Sequence, residues 1–264
     1  MNEQEAAGME LRAGTSGFSY KAWKGPFYPE DLPAREMLRY YAQQLPGVEI
    51  NNTFYRLPKA SVLEGWADQV PADFRFAVKA SRRITHFKRL KGTEDETAYL
   101  LSTTATLGPR LGALLFQLPP NLKLDLPRLE AFLELLPEGL RAAFEFRHPS
   151  WLDEPVVALL GQRNFALVCV DAEDSEAPEL GVGGSWGYLR LRRAGYDRAE
   201  LASWAARIEA TGWSEAFVFF KHEDAGAGPA LAREFLAVAA RAGARKGPRR
   251  GGKEQPAAAS EEVA

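Results

Sequence analysis

Charged and amide side chains recur in this sequence at the ends of short apolar runs. In the run GVEIN (Gly47–Asn51), Glu49 stands between two aliphatic residues, where a carboxylate costs free energy unless another group pairs with it. Later runs end in a similar way, on Lys79, Gln117, Glu145 with Arg147, Asp171, Arg190 with Arg192, and Lys221. Polar residues are far scarcer where these runs begin, so the pattern predicts a ligand site where the run ends meet.

The carboxylates and the lysine of this set have the chemistry of general acids and bases. We expect Glu49, Lys79, Glu145 and Asp171 to be catalytic. Glu49 or Glu145 would transfer the proton, with its pKa tuned by burial and by neighbouring cations. A structural interpretation stands beside this one, because Glu145 could simply pair with Arg147, and Glu49 with Lys79.

Other residues of the set have the chemistry of ligand binding. We expect a substrate to be bound by Asn51, Tyr55, Gln117, Arg147, His148, Trp151, Arg190, Lys221, Gly226 and Gly228. The cations favour a small anionic partner, phosphorylated or polyhydroxylated, which Arg190 and Lys221 would clamp. The two glycines precede Pro229 at a predicted helix start, where free backbone N–H groups favour an anion. The structural interpretation is that they only form the turn.

The sequence predicts neither a metal nor a cofactor. It contains three histidines, fewer than a trinuclear zinc site of the phosphodiesterase kind needs. A single magnesium or manganese ion on Glu49, Glu145 and Asp171 is an alternative, but cations are predicted to crowd the same place. HExxH, P-loop and paired CxxC motifs are absent from the sequence.

The elements that position these residues follow from the alternation of two periodicities. Segments with apolar residues at helical spacing separate eight apolar, β-branched or aromatic runs, which are Leu11–Thr15, Gly47–Asn51, Phe74–Ala80, Ala113–Leu118, Ala142–Arg147, Ala166–Asp171, Gly187–Arg192 and Ala216–His222. Repeated strand–helix units predict parallel strands joined by crossovers, and eight units in this length predict a (β/α)8 TIM barrel. An open doubly wound sheet is the alternative, but no GxGxxG follows the first run.

Three details complete the predicted barrel. The polar, Gly-rich segment between Asp171 and Trp186 predicts a degenerate sixth helix. In such a barrel the active site lies at the carboxyl ends of the strands, so Glu49 and Asn51, which share parity, are expected to face the interior near the mouth. Cys169 shares parity with Asp171 and is expected to fill the barrel interior.

Composition predicts a soluble globular protein without global attraction to nucleic acid or membrane. The chain has 264 residues, 46% of them hydrophobic, and a net charge of −2. One cysteine excludes an intrachain disulfide and fits the cytoplasm, and no apolar run reaches membrane-spanning length. We predict one barrel domain over residues 11–241, a disordered N-terminus over 1–10 and a disordered charged tail over 242–264.

Five motifs in order resemble the YecE-like family, DUF family 72. They are GTSGFSYKAWKGPFYP, VEINNTFYRLP, FRFAVKASRRITH, LLFQLPP and FEFRHPSW, and the resemblance covers Leu11 to Ala240. It implies a (β/α)8 barrel, while the family name records an unassigned activity. The positions typical of the family are Thr15, Ser16, Gly17, Glu49, Asn51, Phe54, Tyr55, Lys79, Gln117, Glu145, Arg147, His148, Trp151, Asp171 and Arg190. The segment RLRRAGY departs from the RLHG of many relatives, which puts a role for Arg192 in doubt.

These observations support three hypotheses of function. The first is a metal-independent hydrolase, lyase or isomerase that acts on a small anion by acid/base chemistry. The second is a nucleic-acid-processing barrel, in which loop aromatics stack on bases and the basic tail contacts the backbone. The third is a non-catalytic module that binds the same ligand without turnover.

Overall fold

Eight parallel strands form a closed barrel in a computed structural model that describes residues 9–173, 179–221 and 226–245. The strands are β1 (Glu10–Ser16), β2 (Gly47–Ile50), β3 (Arg75–Lys79), β4 (Leu111–Gln117), β5 (Ala142–Glu145), β6 (Ala166–Asp171), β7 (Trp186–Leu191) and β8 (Glu215–Phe220). Each strand pairs with its neighbours in chain order, and β1 closes the barrel by pairing with both β2 and β8. The predicted (β/α)8 barrel is confirmed.

Helices cover the outside of the barrel and carry the chain back between strands. They are α1 (Met37–Ala42), α2 (Ala60–Ala67), α3 (Glu94–Thr104), α4 (Leu126–Leu133), α5 (Glu154–Gln162), α6 (Arg198–Glu209) and α7 (Ala227–Arg245). Between β6 and β7 the described residues form no helix, as the polar, Gly-rich composition predicts; residues 174–178 of this segment lie outside the description.

Side chains that accept hydrogen bonds from the backbone mark the first residues of two helices. The Asp197 side chain accepts a hydrogen bond from the Glu200 backbone N–H, and the Glu200 side chain accepts one from the Asp197 backbone N–H, which forms a capping box at α6. Asp125 caps α4 in a similar way. These caps satisfy backbone donors that the first helical turn leaves without partners.

The apolar core has two layers, one inside the barrel and one between the strands and the helices. Ala77, Leu115, Val168, Tyr188 and Phe217 belong to the inner cluster. Cys169 belongs to the outer cluster instead, so the expectation that it fills the barrel interior is wrong. On β6 the inner face is formed by alternate residues that include Val168, which turns Cys169 and Asp171 toward the outside.

The ends of the described chain differ slightly from the predicted domain limits. Strand β1 begins at Glu10, and α7 continues to Arg245, past the predicted tail boundary at Ala242. The rest of the predicted N-terminal segment and of the charged tail lies outside the described residues. No helix in the part of the chain that the structure describes is both long and apolar enough to cross a membrane.

Candidate active site

Two buried carboxylates and one buried arginine form an ion-pair network at the barrel mouth. Arg190 on β7 donates one hydrogen bond of 2.6 Å to Glu145 on β5 and another of 2.8 Å to Glu49 on β2. The side chains of the arginine and of both carboxylates are at most 1% exposed. Because the guanidinium group of Arg190 hydrogen-bonds both carboxylates, it offsets part of the free energy that burying the two negative charges costs.

Glu49 accepts hydrogen bonds on both of its carboxylate oxygens. Ser16 Oγ donates at 2.6 Å and Asn51 Nδ2 at 2.9 Å to Oε1, while Tyr188 OH donates at 2.7 Å to Oε2. Burial raises the pKa of Glu49, but Arg190 and these donors overcome it and lower the pKa to about 2. Glu49 is therefore ionised at neutral pH.

Glu145 joins the network to two cations that reach toward solvent. Arg147 Nε donates to Glu145 at 2.5 Å, and Arg192 lies 3.9 Å away. Burial raises the pKa of Glu145, but Arg190, Arg147 and Arg192 together bring it below its usual value. The Arg147 and Arg192 side chains keep 34% and 17% exposure, so each can contact both the network and a ligand.

Lys79 stands beside this network without pairing with Glu49. Its ammonium donates to Gln117 Oε1 at 2.6 Å and lies 4.3 Å from the centre of the Phe54 ring. Burial, followed by repulsion from Arg190, lowers the pKa of Lys79 to about 8. The Glu145–Arg147 pair therefore forms as the structural interpretation expects, whereas the Glu49–Lys79 pair does not.

Asp171 is not part of this network, contrary to its predicted position at the mouth. Its carboxylate accepts a hydrogen bond of 3.0 Å from Arg193 Nε, and Val170 rather than Asp171 packs against the inner cluster. Parity along β6 turns Asp171 to the helical side of the strand. The alternative metal site on Glu49, Glu145 and Asp171 is contradicted for the same reason.

Two predicted ligand-binding residues of the loop after β5 make structural contacts, and for His148 ligand binding stays a prediction. Trp151 is fully buried; it stacks on Phe146 at 4.7 Å and donates from Nε1 to the Leu122 carbonyl at 2.7 Å. His148 accepts from the Ser150 backbone N–H at 3.2 Å and caps the short helical turn that follows. Trp151 therefore cannot contact a substrate, and the sequence-based expectation for it is wrong.

The predicted anion site after β8 is described only in part. Lys221 is exposed at the end of β8, while residues 222–225 lie outside the description. Gly226 has a φ of 73°, and a Cβ there would lie 3.0 Å from Pro26 Cβ, so close packing explains this glycine. Gly228 is buried in the first turn of α7. The anion site at these glycines stays a prediction.

Three residues that contact or lie near the network, Ser16, Tyr188 and Arg192, were not among those expected to be catalytic or substrate-binding. Ser16 is the last residue of β1, so its position at a strand end could have identified it. Tyr188 lies two residues before Arg190 on β7 and faces the same side of the strand, so parity with Arg190 could have identified it. Arg192, whose role the departure from RLHG put in doubt, lies near Glu145. Tyr188 also belongs to the inner apolar cluster, and its residue type alone does not distinguish it from a core aromatic.

Potential metal ligands are not clustered in the described ranges. Among residues 9–173, 179–221 and 226–245, no group of three or more His, Cys, Asp or Glu side chains is arranged to hold a metal ion. At the mouth itself, Arg190 occupies the space between the two carboxylates that could otherwise share a cation.

The closed parallel barrel and the buried ion pairs at its mouth place this chain in the class of (β/α)8-barrel proteins with charged residues at the carboxyl ends of the strands. Residues 12–257 match the family described as "Protein of unknown function DUF72", and the chain belongs to that family. The resemblance in the sequence motifs is thereby confirmed.

Relatives of this family share sequence with part of the chain. The UPF0759 protein YecE of Escherichia coli strain K12 is 36% identical over 115 residues, 43% of this chain and 42% of that protein. The UPF0759 protein YunF of Bacillus subtilis strain 168 is 29% identical over 136 residues, 48% of each chain. The matched parts therefore span less than half the length of these curated relatives.

Solved structures share the fold over most of the chain. A DUF72 family protein from Thermotoga maritima has a TM-score of 0.75 and 27% identity, covering 86% of this chain and 98% of that one. A DUF72 family protein from Enterococcus faecalis has a TM-score of 0.72 and 21% identity, covering 87% and 95%. The second shows the shared barrel fold alone.

Proposed function

We propose that this barrel is a metal-independent enzyme that acts on a small organic anion by acid/base chemistry at its mouth. The observation that carries the proposal is an excess of positive charge around Lys79. Among the mouth residues that the structure describes, four cations (Lys79, Arg147, Arg190 and Arg192) stand against the carboxylates of Glu49 and Glu145, which leaves a charge of +2 while Lys79 is protonated. An anionic ligand would neutralise this excess.

Lys79 is the proton-transfer group of the proposal, rather than Glu49 or Glu145. A pKa of about 8 leaves a useful fraction of neutral amine near neutral pH, and the charged form remains a ready acid. Both carboxylates are ionised and hydrogen-bonded to arginine, so neither has a proton to give. Their role is to hold Arg190 and Arg147 in place.

The two partly exposed arginines would bind the anion. Arg147 is hydrogen-bonded to Glu145, and Arg192 lies 3.9 Å from the same carboxylate. Both side chains reach toward solvent, so their remaining donors can contact a carboxylate or phosphate group of the ligand. Gln117 fixes the Lys79 ammonium by accepting its hydrogen bond. The substrate would then present its reacting proton to the amine while its anionic group is held by the arginines.

A metabolite-extract screen with matched lysine variants tests this proposal. Wild-type protein, Lys79→Arg and Lys79→Met are incubated with extract, and mass spectrometry follows consumption of organic anions. We expect turnover by the wild type and a loss of about 100-fold or more in both variants, because arginine keeps the charge but does not release its proton. Lys24→Arg is the control, at a partly exposed lysine whose ammonium donates to the Glu30 carbonyl.

Two outcomes would contradict the proposal. Full activity of folded Lys79→Arg would exclude proton transfer by Lys79. Anion binding that is weakened by Arg147→Gln, without turnover by the wild type, would favour the non-catalytic module. The nucleic-acid hypothesis gains no support from Trp23 and Trp151, because both are buried and cannot stack on bases.

A further inference from the structure

Two exposed aromatic rings and a guanidinium form a cluster beside the mouth, which we call the aromatic platform: Tyr55, Arg82 and Phe87. Tyr55 is 68% exposed and Phe87 is 67% exposed. The Arg82 guanidinium lies over both rings, 5.3 Å from the centre of Tyr55 and 5.2 Å from that of Phe87. Large rings that face water in a fixed arrangement are a common feature of binding surfaces.

The segment that carries Arg82 and Phe87 is anchored rather than loose. Residues Arg83–Phe87 form a π-helical turn whose Ile84 and Thr85 are fully buried, and Thr85 Oγ1 hydrogen-bonds His86 Nδ1 at 2.9 Å. Arg89 and Leu90 then take positive φ values of 51° and 68°, which non-glycine residues rarely adopt. Strained residues and π-helical turns of this kind often accompany functional sites.

The aromatic platform is joined to the candidate catalytic lysine through a single ring. Phe54 lies 4.3 Å from Lys79 Nζ, 5.1 Å from the Tyr55 ring centre and 4.8 Å from the His86 ring centre. Only the width of Phe54 therefore separates the cationic mouth from the exposed face of Tyr55. A molecule that places its anionic group among the arginines can extend over this distance.

Open space lies next to the platform as well. A cleft of about 630 Å³ opens beside Tyr55, between it and α3, and is also lined by Ser81, Arg83 and Tyr99. This volume is in the range of pockets that hold small organic molecules. Arg83 in this cleft forms an ion pair with Glu96 at 3.5 Å. Arg82 contacts the rings of Tyr55 and Phe87 and therefore belongs to the aromatic platform.

We propose that the aromatic platform is a subsite for a planar ring, so that the substrate is an organic anion with an aromatic or other planar ring near its anionic group. The inference rests on the proposed function, since the arginines at the mouth hold the anionic end. The ring stacks on the exposed face of Tyr55 or Phe87, and Arg82 orients both rings from between them.

Titration calorimetry with two matched probes tests the platform. Inorganic phosphate reports the anion site alone, and phenyl phosphate adds one planar ring to the same anion. We expect the wild type to bind phenyl phosphate about tenfold more tightly, as one stacked ring contributes. Tyr55→Leu and Phe87→Leu together should remove this preference and leave the affinity for inorganic phosphate unchanged. Tyr99→Leu, at the far side of the cleft, should retain it.

The outcomes separate this inference from the proposed function. If inorganic phosphate binds in an Arg147-dependent way but phenyl phosphate binds no more tightly, the platform is excluded and the anion site stands. If Tyr99→Leu removes the preference and the platform variants retain it, the ring lies in the cleft and the platform is again excluded. If neither probe binds, both the anion site and the platform are overturned.

Discussion

At the scale of residues, the site lowers the pKa of its two acids and of its base, which favours charged carboxylates but a neutral amine. Arg190 keeps Glu49 and Glu145 ionised because its positive charge overcomes the cost of burying them. Burial, followed by repulsion from the same arginine, lowers the pKa of Lys79, so this lysine loses its proton more readily than an exposed lysine. The site thereby holds a fraction of neutral amine near neutral pH next to guanidinium groups that remain charged.

Lys79 should react with an amine-acylating reagent in a pH-dependent way that sets it apart from other lysines. We expect its labelling, followed by peptide mass spectrometry, to rise with a midpoint near pH 8, because only the neutral amine reacts. Arg192→Gln should move the midpoint upward, since Arg192 is one of the cations that lower the pKa of Lys79. A Lys79 midpoint near the usual lysine value of 10.5 would contradict the assignment.

At the scale of elements, glycines allow close approaches that larger residues would prevent. Gly14 on β1 lies very close to β2. A Cβ at this position would lie 1.9 Å from the Gly47 carbonyl oxygen and 2.9 Å from Tyr41 OH. The Tyr41 hydroxyl in turn donates to the same carbonyl at 3.0 Å. This contact sets the spacing of the two strands whose ends carry Ser16 and Glu49.

Gly14→Ala should therefore destabilise the barrel, while a matched change elsewhere should not. We expect a loss of about 3 kcal/mol or more in the free energy of unfolding, because backbone must move to admit the methyl group. Gly65→Ala in α2 meets no atom within 4 Å and should stabilise by about 0.5–1 kcal/mol through helix propensity. Urea unfolding of both variants measures the difference, and equal stability of the two would contradict this packing argument.

At the scale of the whole molecule, the network couples the stability of the barrel to pH. It joins β2, β5 and β7 across the interior, so unfolding must separate all of its charges. Glu49 has a lower pKa in the folded state than its usual 4.5. Its contribution to stability is therefore complete above about pH 4.5 and is lost as the pH falls toward 2.

Glu49→Gln should be less stable than the wild type by about 3 kcal/mol near neutral pH, since it leaves Arg190 incompletely paired. The difference between the two free energies of unfolding should become smaller as the pH falls below 4.5, because protonation of Glu49 weakens its ion pair with Arg190 in the wild type. Urea unfolding followed by tryptophan fluorescence at several pH values measures it. Glu64→Gln, at an exposed residue of α2, should show no such narrowing. A difference that stays constant down to pH 3 would contradict the role of Glu49.

The sequence by itself determined the barrel and most of its polar strand ends. Strand and helix periodicities are local, and eight repeats of the unit in this length leave few other folds. The run GVEIN identified Glu49 because a carboxylate between aliphatic residues needs a partner inside the protein. For Glu145, Arg147 and Arg190 the same reasoning identified the position, and it also offered Arg147 as a partner of Glu145, but it did not pair Arg190 with either carboxylate.

Only the tertiary structure decided which charges pair and which residues face inward. Glu49 meets Arg190 across 141 positions of the chain, a distance over which strand periodicity carries no information. On β6 the run ALVCVD is apolar on both faces, as expected for a parallel strand buried between two layers, so parity alone could not assign Asp171 to a side. Closure of the barrel and the register between its strands fix these choices, because they set the direction of every side chain at once.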